Sequence, residues 1–161
     1  MGKLKLLLVV MLLSCPVFGQ TLSIANLPQG AAWAVPAPTT ITKAGKDYDV
    51  TSVLSGVSHT TLKVNALLYW EIAVHQSVSA NWHPSLKIYV QRTGVGTGGA
   101  LLDGGGTPQL VTTSPTLFFK GLLGLSFARD QVPVQYRIDG ISVMLPVKTY
   151  TTTIQYTVSG L

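Results

Sequence analysis

The chain has 161 residues, of which 47% are hydrophobic and 11% charged, and eleven Lys/Arg against six Asp/Glu give a formal net charge of +5. That length is enough for one domain with its own hydrophobic core. The basic residues beyond the N-terminus (Lys43, Lys46, Lys63, Lys87, Arg92, Lys120, Arg129, Arg137 and Lys148) are scattered, which excludes the basic stripe of a nucleic-acid-binding protein.

The chain opens with Lys3 and Lys5, an unbroken apolar run from Leu6 to Leu13, and Val17-Phe18-Gly19. This is the design of a secretory signal peptide, residues 1–19, cut after Gly19 to leave a single domain over 20–161. The apolar run is too short for the roughly 20 residues that cross a bilayer, so no transmembrane span is expected in the mature chain. Leu12-Leu13-Ser14-Cys15 resembles a lipobox, but the Leu before Ser14 and the Pro16 after Cys15 fit that motif poorly. Cleavage would remove Cys15, the single cysteine, so the mature chain would hold no disulfide, no zinc–thiolate site and no thiol nucleophile. Loss of Lys3 and Lys5 also lowers the net charge to +3. The expected address is secreted, periplasmic or cell surface.

From there the hydrophobic period stays near two. Leu22 and Ile24 begin a short strand, and Leu27 leads into a loop with Pro28, Gly30, Pro36 and Pro38. Tyr48 and Val50 suggest a strand. Leu62, Val64 and Ala66 alternate, and Leu68, Trp70, Ile72 and Val74 continue in even register. A turn at Asn81-Trp82-His83-Pro84 precedes Leu86, Ile88 and Val90. Leu117, Phe119 and the stretch Leu123 to Phe127 predict further strands. Val132, Val134, Tyr136 and Ile138 alternate as well, and Asp139-Gly140 predicts a hairpin to Ile141, Val143 and Leu145. The closing stretch puts Tyr150, Thr152, Ile154, Tyr156 and Val158 on one face and Thr151, Thr153, Gln155, Thr157 and Ser159 on the other. No window keeps a helical apolar spacing better than it keeps alternation. The fold class is all-β, an antiparallel β-sandwich of Ig-like or pilin-like type.

Chemistry is sparse along this frame. Gly94-Val95-Gly96-Thr97-Gly98-Gly99 matches the dinucleotide string G-x-G-x-x-G, but Ala100 to Asp103 is too short for the helix that would face a pyrophosphate, so the glycines read as a flexible excursion and no cofactor is expected. His59, His75 and His83 lack metal-ligand spacing. Asp47 and Asp49 could share a strand face, yet two carboxylates fall short of the about six to eight oxygens that calcium takes, and no metal is expected. Glu71 lies opposite Trp70, Asp139 is a turn residue, no glycosidase pair is spaced in the sequence, and no G-x-S-x-G elbow activates a serine. The expected protein is not an enzyme. Trp70 shares a face with Leu68 and Ile72 and belongs to the core. Trp33 and Trp82 lie in loops and are the candidate surface aromatics.

The ending Leu145-Pro146-Val147-Lys148-Thr149-Tyr150-Thr151-Thr152-Thr153-Ile154-Gln155-Tyr156-Thr157-Val158 resembles the closing strand of secreted bacterial β-sandwich structural proteins, the spore coat protein U and chaperone–usher pilin group. The chain departs from that group in lacking mature cysteines and in carrying two residues beyond Ser159. The resemblance implies a secreted or cell-surface structural subunit, fimbrium-like, partnered with its own copies or with related secreted subunits and assembling by strand addition. Leu22, Ile24 and Leu27 are the candidate assembly strand, with pairing inside their own domain as the other reading. A surface- or carbohydrate-binding module that uses Trp33 and Trp82 on a cell-surface polymer is the alternative function.

Overall fold

The computed structural model describes residues 21–26, 32–66, 69–78, 80–122 and 128–160, with the backbone alone for 21–26 and Val78. The expected signal peptide, Leu27, Leu68 and the Leu123–Phe127 stretch lie outside the described residues. Among the described residues eleven strands run in chain order: β1 (Thr21–Asn26), β2 (Ser52–Leu54), β3 (Thr60–Asn65), β4 (Trp70–Val78), β5 (Lys87–Arg92), β6 (Thr97–Gly98), β7 (Leu101–Gly104), β8 (Gln109–Leu110), β9 (Thr116–Leu122), β10 (Arg129–Asp139) and β11 (Thr152–Gly160). Among the described residues there is no helix.

The strands form two antiparallel sheets, consistent with a β-sandwich. The first has the order β1-β3-β10-β5-β8, with β2 and β6 also paired to β10; the second has the order β11-β4-β9-β7. The alternation read from the sequence becomes the burial pattern. Leu62, Val64, Trp70, Ile72, Val74, Val90, Val132 and Val134 are each 0% exposed, and Tyr136 and Ile138 are nearly so. The Trp70 ring lies against Gly121, where an added Cβ would meet it at 2.2 Å. A glycine in this strand therefore marks a close approach rather than weak strand design. Trp70 also meets Phe119 edge-on, with ring centroids 5.9 Å apart.

β10 is the organising strand of the first sheet. Its Arg129–Val134 half pairs with β3 and its Arg137–Asp139 end with β2, while β6 and β5 occupy the other side. The β3 ladder shifts between Arg129 and Val132, where Gln131 takes a φ of 53°. A non-glycine residue in the left-handed region fits the extra residue of a β-bulge, and the Gln131 N–H donates to Asp130 Oδ1 at 2.8 Å.

Three expectations are corrected. The hairpin after Asp139-Gly140 does not form: both sides of β10 are already taken at Arg137–Asp139, so no edge is left for a returning strand. Gly140 and Ile141 instead donate their N–H groups to Thr51 O, and residues 140–151 are irregular. Tyr48 and Val50 are not in a strand either. Asp47 accepts from the N–H groups of Tyr48 and Val143, and Asp49 accepts from the Thr42 hydroxyl. Finally, the glycine excursion contains two short strands, β6 and β7. At Gly96, with φ of 64°, a Cβ would lie 2.2 Å from Asp130 O, so the backbone packs directly on β10.

Candidate functional site

The two sides of the sandwich are built differently. On one side the chain passes from β7 in the second sheet to β8 in the first and back to β9, and side chains tie this crossing to backbone carbonyls. The Arg92 guanidinium donates to Gly104 O through Nε at 3.2 Å and Nη2 at 2.9 Å, and to Gly94 O through Nη1 at 2.8 Å. Burial and the nearby Arg129 lower its pKa from the ordinary arginine value. Arg129 Nε donates to Ala100 O at 2.6 Å, Gln91 to Gly106 O at 2.8 Å and Gln109 to Leu117 O at 2.9 Å. Sequence reasoning missed these clamps, because an arginine serving a carbonyl carries no motif.

The other side carries the two long edges. β1 ends the first sheet and β11 ends the second, and their Cα atoms approach within 8 Å. β1 pairs with β3 over six residues, with Leu22 opposite Val64 and Ile24 opposite Leu62. The candidate assembly residues Leu22 and Ile24 thus stand at register positions facing two core residues of their own chain.

β11 pairs with β4 over nine residues without a register shift. Its even positions from Thr152 to Val158 are half-buried and its odd positions exposed, so the alternation holds along the strand. The same face of β4 is fully covered at Trp70, Ile72 and Val74, whereas Ile154, Tyr156 and Val158 are not. Their burial is less complete than their register with the core suggests, because an edge strand has a neighbour on one side only.

Tyr156 ties this edge to the first sheet. Its hydroxyl lies 2.9 Å from that of Tyr136, which also donates to Thr60 Oγ1 at 3.1 Å. Burial raises both phenol pKa values, and for Tyr156, pushed well above the ordinary value, the neighbouring Tyr136 adds to the effect. Trp33 stacks on Tyr136 at 6.4 Å between centroids and meets His59 at 6.2 Å. Trp82 also packs on the core. Both candidate aromatics are half-buried. Before β11, the Tyr150 hydroxyl donates to Pro146 O at 2.6 Å and the Lys148 ammonium lies 5.2 Å from the Tyr150 ring centre.

The carboxylates are engaged in structural contacts. Lys63 meets Asp130 at 2.7 Å, Lys120 meets Asp103 at 3.3 Å, Ser52 donates to Asp139 at 2.6 Å, and the Tyr69 hydroxyl donates to Glu71. Among the described residues no three His, Cys, Asp or Glu side chains gather as a metal site would require. A surface groove of about 420 Å³ runs between residues 36–40 and β2 and is lined by Pro36, Pro38, Val50 and Leu54 among others. Comparison with protein-family models, with curated proteins and with solved structures finds no significant match.

Proposed function

We propose that the protein is a secreted or cell-surface structural subunit that self-assembles by β-strand addition, with β1 as the added strand. The observation that carries this reading is the position of β1. Among the described residues it is an edge strand, joined to its sheet by one antiparallel ladder to β3. A ladder of that kind is satisfied equally by the same segment of another copy, in the same register, which is the low-cost route of strand exchange. No regular element occurs in residues 32–51. The N-terminal signal design and the likeness of the closing strand to secreted structural subunits support the same reading.

The test replaces Leu22→Asp and Ile24→Asp together in the full chain. Assembly followed by electron microscopy and size-exclusion chromatography should be lost while the subunit stays folded; loss of the subunit's own melting transition would mean instead that β1 serves its own domain. Normal assembly with an unchanged melting temperature would sink the proposal. N-terminal sequencing of the exported protein checks the secretory half and should begin at Gln20.

A further inference from the structure

Sheet edges expose main-chain donors and acceptors, and folded proteins blunt them with charge, proline, a bulge or shortness. The edges beside the arginine clamps are blunted. β7 and β8 span only Leu101–Gly104 and Gln109–Leu110, and Pro108 precedes the second. β11 has no such device. It runs nine residues without a charge, a proline or a register break, and among the described residues it pairs with β4 alone. The geometry points to β11 as a two-fold docking strand: β11 of a second copy of this chain pairs with it antiparallel and merges two four-stranded sheets into one of eight strands.

Self-complementarity selects a second copy as the occupant. Two identical antiparallel strands are related by a two-fold axis, and the register that pairs all nine residues puts that axis at Tyr156. Ile154 then stands opposite Val158 of the second copy, Gln155 opposite Thr157, Thr153 opposite Ser159 and Thr152 opposite Gly160. Half-buried apolar side chains continue one face, and exposed hydroxyls and amides continue the other. A slip of one residue would set Ile154 against Thr157 and join opposite faces. No like charges meet, which removes the common penalty of pairing a strand with itself. The proposal concerns the edge of β11 rather than that of β1, although the two strands approach within 8 Å, and it goes beyond the strand addition proposed above.

Exposed positions on β11 supply the test. The full chain carrying Gln155→Lys and Thr157→Lys would oppose two ammonium groups at each of two symmetric points, and its partner variant carries Gln155→Glu and Thr157→Glu. By sedimentation equilibrium, with every chain also carrying Leu22→Asp and Ile24→Asp to block β1-mediated polymers, the otherwise unmodified chain should show a monomer–dimer equilibrium. Each variant alone should dimerise at least about tenfold more weakly, since opposed like charges are costly at an interface. An equal mixture of the two should recover dimers of mixed composition. An otherwise unmodified chain that stays monomeric up to its solubility limit overturns the proposal, as do variants that dimerise unchanged or a mixture that remains monomeric. The Leu22→Asp, Ile24→Asp chain keeps this dimer even when it loses β1-mediated polymers, so the two readings fail separately.

Discussion

Tyr156 shows how one phenol can couple an edge strand to the core. Its hydroxyl meets that of Tyr136 across the two sheets, and burial holds its pKa well above the ordinary 10.0. The proton is therefore held more tightly in the folded chain than in the unfolded one. The stability tied to it is fully present below pH about 10 and declines as the pH rises from there toward the folded pKa. Tyr156→Phe should cost about 1 kcal/mol at neutral pH, the usual net worth of one hydrogen bond, because Tyr136 keeps its bond to Thr60. It should also make the alkaline fall in stability shallower, with the raised Tyr136 pKa left to contribute the rest. Denaturant titrations of both chains between neutral pH and the alkaline range check this, and parallel alkaline slopes would refute it.

At the scale of the strand, position within the sheet sets how much a side chain is worth. Ile72 on β4 and Ile154 on β11 lie on the same face of the second sheet, but among the described residues β4 has neighbours on both sides and β11 on one. Ile72→Ala should cost about 2–5 kcal/mol and Ile154→Ala about half as much, in proportion to the apolar area each withdraws from water. Equal losses in chemical denaturation would mean that β11 is covered as fully as β4. The alternation that located β3, β4, β5, β10 and β11 was legible because each strand has one face toward the core. The hairpin after Asp139 was misread because a turn dipeptide says nothing about whether its strand has a free edge. Leu117 stood in the expected strand but is exposed, since a register shift between β4 and β9 moves it off the inner face. The candidate site was half legible: Leu22 and Ile24 marked β1, and the β11 pattern marked a paired strand. That both strands are edges on the same side depends on sheet order, which no local spacing encodes.

At the scale of the whole molecule, each sheet is built on pairings distant in the chain: β3 with β10 and β5 with β10 in the first, and β4 with β11 in the second. Closing such loops before any contact rewards them makes folding slow, in the millisecond-to-second range typical of all-β domains of about this contact pattern. Stopped-flow refolding of the full chain should show this, and a microsecond phase carrying the full amplitude would contradict it.

Because β10 is the shared partner of β2, β3, β5 and β6 and follows all four in the chain, its emergence from the ribosome governs when they can fold. A nascent chain that ends before Arg129 presents those four strands with no common neighbour, and one that ends before Thr152 leaves β4 open on one side. The polypeptide should therefore leave the exit tunnel extended and condense only once β10 and β11 have emerged. Force profiles from arrest-peptide fusions should stay flat until residues beyond Asp139 have emerged. A pulling force at lengths that end before Arg129 would show that the first sheet assembles without its centre.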